Sequence, residues 1–194
     1  MRRVGIEVVG AAERDEWRRD VYETHNHRGP DYPESFADVD AGVRGASAEG
    51  ITLWTACAGV AELERLIRAH AAHLPRWLLL ESVREPFDGL VALLGAYACS
   101  TWDACGRRFL LATTRPGPLS VEVSGKFRVA PLQHPDRDLR MGVSLEAQEQ
   151  ALGLPAGYTD CCGATVQQRR AALAATSNVE HLAVVLACVA ASER

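Results

Sequence analysis

The sequence predicts an α/β fold in which a mostly parallel sheet carries helices on both faces. Short apolar runs rich in β-branched and aromatic residues alternate with segments of helical periodicity between residues 6 and 114. Residues 77–80 contain no polar side chain, which is typical of a strand buried on both faces. The 194 residues show no internal repeat, and this length suits one domain or a core with one small appendage.

The individual elements follow from local patterns. Apolar runs that end in polar or turn-forming residues predict strands at 6–12, 51–57, 77–81 and 108–114, with a brief extended piece at 36–40. Apolar residues at helical spacing predict helices at 17–24, 60–72, 87–97, 166–175 and 179–191, and a short helix after Ser144. We therefore expect a core in residues 1–115, an irregular segment in 116–143, and C-terminal helices in 144–194 that complete the core.

Composition and charge argue against several classes of protein. A formal net charge of −4 does not suggest a globally basic nucleic-acid binder. The chain contains no run of about 18 apolar residues, so no membrane span is predicted. The first residues lack the apolar core of a signal peptide. The six cysteines have no C-x-x-C spacing, so neither a zinc site nor a disulfide framework is predicted, and Cys161 and Cys162 are not expected to bridge easily. These features predict an intracellular, reducing location, cytoplasmic or nuclear.

Three of the predicted strands end close to residues that can do chemistry. Glu13, Cys57 and Glu81 follow or close the strands at 6–12, 51–57 and 77–81. In open α/β sheets, ligands bind beyond the carboxyl ends of the strands. The pattern therefore favours a shared site at this edge, although Glu81 could also simply mark the point where a buried strand reaches solvent.

Six segments, in order, resemble motifs of the DNA cytosine-5 methyltransferase family, at residues 5–17, 37–40, 75–83, 106–115, 146–160 and 172–185. The sixth motif of that family usually reads Glu-Asn-Val, where this chain has Glu81, Ser82 and Val83. The resemblance covers nearly the whole chain. It implies a Rossmann-like methyltransferase fold and S-adenosylmethionine as the methyl donor.

The resemblance also implies roles for residues near the donor. Glu13 would accept hydrogen bonds from the two ribose hydroxyls, because a carboxylate has two acceptor oxygens. Asp38 would accept from the adenine amino group, and Val39 would pack on the adenine ring. The structural alternatives are a surface glutamate at a helix start and a loop aspartate.

For catalysis, the resemblance implies that Cys57 attacks the sixth carbon of a cytosine flipped out of the duplex. Glu81 would bind the ring nitrogen and amino group of the base, and Arg107 or Arg108 would hold its carbonyl oxygen. The structural alternative for Cys57 is a small buried thiol at a strand terminus.

Several positions depart from the family pattern. No proline precedes Cys57, Ser82 replaces the asparagine of the sixth motif, and Ala174 and Ala175 stand where the tenth motif has Gly-Asn. The leading Gln-Arg of the eighth motif is missing, and no glycine-rich donor loop lies upstream of Glu13. We therefore expect a catalytically inactive, regulatory protein, similar to the inactive member of the eukaryotic de novo methyltransferases. The alternatives are a small active cytosine-5 methyltransferase and an unrelated α/β interaction domain.

The expected partners are a second protein chain and DNA. The segments 63–70 and 87–97 could offer a helical face to a protein partner or to a second copy of this chain. A group of basic residues could form a phosphate-facing patch, or equally a solvated charged loop: Arg107, Arg108, Arg115, Lys126, Arg128, Arg137 and Arg140.

Overall fold

A computed structural model of the chain describes residues 13, 15–26, 53–83, 85–104, 106–115 and 143–193. The chain divides into two compact units, one of residues 43–124 and one of residues 1–42 with 125–194. The elements described in the first unit are β1 (Leu53–Cys57), α2 (Val60–Ala69), β2 (Trp77–Ser82), α3 (Asp88–Leu93), β3 (Ala98–Ala104) and β4 (Arg107–Thr113). Those in the second are α1 (Glu16–Asn26), α4 (Leu145–Ala151), α5 (Val166–Ala175) and α6 (Val179–Ser192).

The described strands form a four-stranded mixed sheet with the order β1-β2-β4-β3. The helix α2 connects β1 to β2, which pair in parallel, whereas β4 pairs antiparallel with both β2 and β3. The α/β class is thus present, but the prediction of a mostly parallel sheet is not confirmed, because two of the three pairings are antiparallel.

A tight hairpin explains the antiparallel pairings. Only residues 105 and 106 connect β3 to β4, whereas a parallel connection needs a crossover of about a dozen residues. Gly106 has a φ of +75°, a left-handed conformation that short hairpin turns require and glycine adopts readily. The sequence patterns did not predict β3, whose residues are all exposed or half-buried, as on the edge of a sheet.

The core of this unit lies around the two central strands. Every residue of β2 is buried, and Leu110 and Leu111 of β4 are fully enclosed. Leu63 and Ile67 of α2 are also buried, as are three apolar residues in and beside α3: Phe87, Leu90 and Leu94. Several apolar side chains of the segments 63–70 and 87–97 therefore belong to the core, and a partner face in these segments stays a prediction.

Helix α3 is much shorter than the predicted helix at 87–97. It ends at Leu93, and the amide of Tyr97 donates to the carbonyl of Leu94 in the turn that leads into β3. Glycine is a poor helix former, and Gly89 and Gly95 both fall within the predicted span. The hydroxyl of Tyr97 donates to the carbonyl of Pro75 at 2.7 Å and ties this turn to the start of β2.

Three of the helices described in the other unit, α4, α5 and α6, begin at clear N-caps. The Ser144 hydroxyl accepts from the amide of Ala147 at the start of α4. Thr165 and Gln168 form a reciprocal capping box at the start of α5, and the Asn178 side chain accepts from the amide of His181 at the start of α6. These caps match the predicted helices after Ser144, at 166–175 and at 179–191. Helix α1 likewise matches the prediction at 17–24.

One stretch of the described residues, Val166–Ser192, is long and apolar enough to cross a membrane by length and composition alone. It consists of two helices, because Thr176 is extended at φ −81° and ψ 132° and Asn178 starts α6. The 14 residues of α6 span about 21 Å, less than the roughly 30 Å of a bilayer core. Core helices of water-soluble domains can have the same composition, so the stretch is weak evidence for membrane insertion.

Candidate functional site

Three of the four predicted catalytic residues meet at one end of β1 and β2. Cys57 is the last residue of β1, and Glu81 is its register partner on β2, so both side chains lie on the same face of the sheet. Arg107, the first residue of β4, places its guanidinium against both. Its Nε lies 2.9 Å from Oε1 of Glu81, and its Nη1 donates to Sγ of Cys57 at 3.3 Å. We call these three residues the thiol–carboxylate–guanidinium cluster.

Burial differs sharply within the cluster. Glu81 is 3% exposed and Arg107 is 7% exposed, whereas Cys57 is exposed at the strand end. Two charged groups taken out of water are tolerated only when they pair with each other. The arginine and glutamate therefore form a neutralised pair beneath an accessible thiol. The exposure of Cys57 also sets aside the interpretation of this residue as a buried structural thiol.

Arg108 does not join the cluster. It pairs across the hairpin with Asp103, with Nε and Nη2 donating to the two carboxylate oxygens at 2.8 and 3.1 Å. The hydrogen bond from Arg108 holds the pKa of Asp103 below its usual value. Arg107 and Arg108 are neighbours on one strand, and successive side chains leave a strand on opposite faces. Of the two candidate arginines, Arg107 is thus the one beside Cys57 and Glu81.

Ser82 is a further buried residue at this end of β2. It is 1% exposed, and its Oγ has no hydrogen-bond partner among the described residues. Such a group costs about 1–3 kcal/mol when nothing satisfies it. The sequence showed this position only as a departure from the Glu-Asn-Val pattern. The structure adds that the Ser82 hydroxyl is buried and makes no hydrogen bond to the described residues.

Glu13, the one described residue of the predicted donor site, belongs to the other compact unit. Its Oε1 accepts from the amide of Asp15 at 3.0 Å, and its Oε2 lies 3.9 Å from Arg18. These contacts match the structural alternative of a glutamate at a helix start. Asp38 and Val39 lie outside the described residues, as do Lys126, Arg128, Arg137 and Arg140 of the predicted basic patch. Binding of S-adenosylmethionine therefore stays a prediction.

The unit of residues 1–42 with 125–194, which we call the C-terminal unit, contains a buried polar network that the sequence patterns did not predict. Glu149 of α4 is fully buried and accepts hydrogen bonds from the amides of Gly157 and Thr159 and from the Thr159 hydroxyl. Arg169 of α5 donates from Nη2 to Glu149 at 3.3 Å and from Nε to the Thr159 hydroxyl at 3.1 Å. Nη2 of Arg169 also donates to the exposed Glu146. The network holds α4, α5 and the turn at 157–159 together.

Hydrogen bonding decides the charge state of Glu149. Burial raises the pKa of this carboxyl, but the hydrogen bonds from Thr159, Gly157 and Arg169 outweigh it and leave the pKa below its usual value. Glu149 is therefore a carboxylate, and its oxygens accept hydrogen bonds from these donors. Its contacts are all internal, so we assign it a structural role.

No family model and no curated protein sequence matches this chain. Within the described part of the chain, no group of three or more His, Cys, Asp and Glu side chains is arranged to hold a metal ion. The chemistry available at the cluster is that of an accessible thiol beside a guanidinium, with a carboxylate beneath. Such a set can stabilise a thiolate and can hydrogen-bond a polar ring edge.

Proposed function

We propose that this chain is a degenerate, catalytically inactive relative of the DNA cytosine-5 methyltransferases that serves as a regulatory or DNA- and partner-binding subunit. The observation that carries the proposal is the closed state of Glu81. In an active member the glutamate of the sixth motif must meet the ring edge of cytosine. Here its Oε1 faces Arg107 at 2.9 Å and the residue is 3% exposed, so a base would have to displace a buried guanidinium.

The finer fold assignment, a Rossmann-like methyltransferase domain, belongs to this proposal. Its support is the β1–α2–β2 unit, whose parallel strands place Cys57 and Glu81 together at their carboxyl ends. Further support comes from β4, the one described strand of reversed direction, which lies between β2 and β3. Many doubly wound sheets are mixed in this way, with an antiparallel strand on an otherwise parallel sheet.

An active cytosine-5 methyltransferase using S-adenosylmethionine is the second candidate. It is favoured by the exposed Cys57 thiol, whose Sγ lies 3.3 Å from Nη1 of Arg107. A positive charge at this distance stabilises the thiolate, which is the nucleophilic form of cysteine. In that case Glu81 and Arg107 would separate when the base enters.

Methyl transfer from labelled donor to duplex DNA separates the two candidates. We expect no transfer above the level of the Cys57→Ala variant, because the guanidinium of Arg107 already pairs with the carboxylate of Glu81. We also expect no rise in melting temperature on addition of S-adenosylmethionine, since a ligand stabilises only the state that binds it. Transfer that disappears in Cys57→Ala would establish the active enzyme, and a melting shift without transfer would show that donor binding has survived.

The site for a protein partner, which is part of the proposed function, would use only the accessible part of the segments 63–70 and 87–97. The apolar stripe of α2 is buried, but an open cleft of about 370 Å³ remains beside α2 and α3. Its lining consists of Ile67, Arg68, Ala71, Leu74, Leu93, Leu94, Ala96 and Tyr97. Apolar floor and exposed rim residues are the features by which a helix or loop of a partner, or of a second copy of this chain, would be accepted.

DNA binding, if it belongs to the function, should be weak and strongly dependent on salt. Arg107 and Arg108 are each neutralised by a carboxylate, whereas Arg115 is exposed. We expect Arg115→Ala to reduce the slope of log affinity against log salt by about 1, the loss of one phosphate contact. Arg108→Met, which removes a charge already balanced by Asp103, should change the slope less. A salt-independent response would remove DNA from the proposal and favour the unrelated interaction domain.

A further inference from the structure

The turn after Tyr158 brings two adjacent thiols together in the C-terminal unit. Cys161 is partly buried and Cys162 is exposed. Cys162 has a φ of +56°, and the following Gly163 has a φ of +66°. A left-handed conformation is unfavourable for a cysteine, and residues held in one are often functional. Glycine or asparagine would fit the backbone better, so the conformation does not explain the thiol at position 162.

These thiols lie against the last turn of α1. Sγ of Cys162 is 3.3 Å from the Thr24 hydroxyl, and Sγ of Cys161 lies 3.9 Å from the carbonyl of Tyr158. The same carbonyl contacts Nε2 of His25 at 2.7 Å, and the rings of His25 and Tyr158 stack with centroids 3.9 Å apart. The turn that contains Tyr158, Cys161 and Cys162 therefore packs against the C-terminal end of α1.

The two cysteines are neighbours in the chain and are poorly placed for a disulfide. Burial, and then the hydrogen bond with the Cys162 thiol, raises the pKa of Cys161 to about 11. Adjacent Cα atoms are about 3.8 Å apart across a trans peptide, shorter than the roughly 4.4 Å minimum of ordinary disulfides. This minimum Cα–Cα distance applies to a direct sulfur–sulfur bond, and it does not apply when a third atom bonds both sulfurs. Bonds of about 2.3 Å, as in metal–thiolate sites, bridge sulfurs that are roughly 3.5 Å apart.

We propose that Cys161 and Cys162 form a two-sulfur site for one thiophilic trivalent metalloid, with trivalent arsenic as the type ligand, and that its occupancy releases the end of α1. With a monosubstituted arsenic oxide, two sulfur–arsenic bonds form and the arsenic–oxygen bond breaks. Both thiol protons leave with that oxygen as one water molecule, and no atom changes oxidation state. Sγ of Cys162, once bonded to arsenic, has no proton to donate to the Thr24 hydroxyl, and the arsenic group needs space beside the last turn of α1. The site is separate from Cys57 and does not depend on the proposed function.

Intact-mass spectrometry of the full chain with phenylarsine oxide tests the site. We expect one adduct at equimolar reagent that survives excess monothiol and is removed by a dithiol, because only a dithiol forms a competing chelate. Cys161→Ser and Cys162→Ser should each weaken binding at least tenfold, whereas Cys188→Ser and Cys57→Ser should leave it unchanged. An adduct that persists in Cys162→Ser, or that a monothiol removes, would overturn the site.

Hydrogen exchange on the same samples tests the coupling to α1. We expect faster exchange of the amides of residues 20–26 in the adduct, with the amides of β2 and β4 unchanged. Thr24→Val, which removes the hydroxyl but keeps both thiols, should bind the reagent normally and show the faster exchange without it. An adduct that leaves exchange in α1 unchanged would retain the two-sulfur site and refute the release of the helix.

Discussion

Replacing Arg107 with methionine is expected to lower the free energy of unfolding of the sheet-containing unit by about 3–5 kcal/mol, the usual effect of removing one partner from a buried ion pair. The carboxylate of Glu81 would remain at a site where the side chain is 4% exposed, without the guanidinium that now lies 2.9 Å away. Methionine keeps the length and apolar stem of arginine, so the loss measures the charge more than the volume. Urea denaturation, with hydrogen exchange in β2 and β4 as a local readout, measures it.

The adjacent arginine supplies a matched control. Arg108 makes an equally short ion pair, with Nε 2.8 Å from Oδ1 of Asp103, but the side chains are 35% and 67% exposed. Solvent already screens that pair, so Arg108→Met should leave the unfolding midpoint nearly unchanged. Equal losses in the two variants would contradict the assignment of a buried pair to Arg107 alone.

Removing both charges provides a second check on the Arg107–Glu81 pair. The double variant Glu81→Leu with Arg107→Met should recover part of the loss seen in Arg107→Met, because it leaves no uncompensated charge in the core. A double variant less stable than the single one would instead indicate that Glu81 is held mainly by other contacts. Neither result depends on whether the protein transfers methyl groups.

The strand ends show what the sequence could predict. The unbroken apolar run before Glu81 identified a buried strand, and the strand–helix–strand pattern around α2 implied that Cys57 and Glu81 would lie side by side. The choice between Arg107 and Arg108 could not be made, because it depends on which face each residue takes. Alternation along the strand puts Arg107 and Arg108 on opposite faces, but only the pairing register with β2 decides which of the two faces carries Glu81.

Other features escaped prediction because they depend on distant neighbours. Strand β3 carries polar and half-exposed residues, so it lacks the apolar run by which the other strands were found. The stripe on α2 reads the same whether it faces a core or a partner, and only the position of the sheet decides. Glu149 looks like an ordinary polar residue of a short helix. Its donors lie 8 to 20 residues away and meet it only after the turn at 157–159 has formed.

Replacing Arg169 with methionine is expected to cost the C-terminal unit about 3–5 kcal/mol, since Glu149 would lose its cationic partner while remaining fully buried. The exposed neighbour Arg170 offers the control, and Arg170→Met should leave the urea midpoint unchanged. Hydrogen exchange in α4 and α5 identifies the unit that has been affected. A loss no larger than that of Arg170→Met would mean that the amides of Gly157 and Thr159 and the Thr159 hydroxyl suffice to hold the carboxylate.

The pH dependence of stability gives the same network an independent signature. The pKa of Glu149 is lower in the folded protein than its ordinary value, so the folded state binds fewer protons than the unfolded state. The resulting stability is complete above the unfolded pKa of about 4.3 and is lost as the pH falls through the folded value. Glu149→Gln, which keeps the shape but not the charge, should be less stable near pH 7 and should lose less stability on acidification. Parallel curves for the variant and the wild-type protein would place the acid sensitivity elsewhere and leave Glu149 with a role in packing alone.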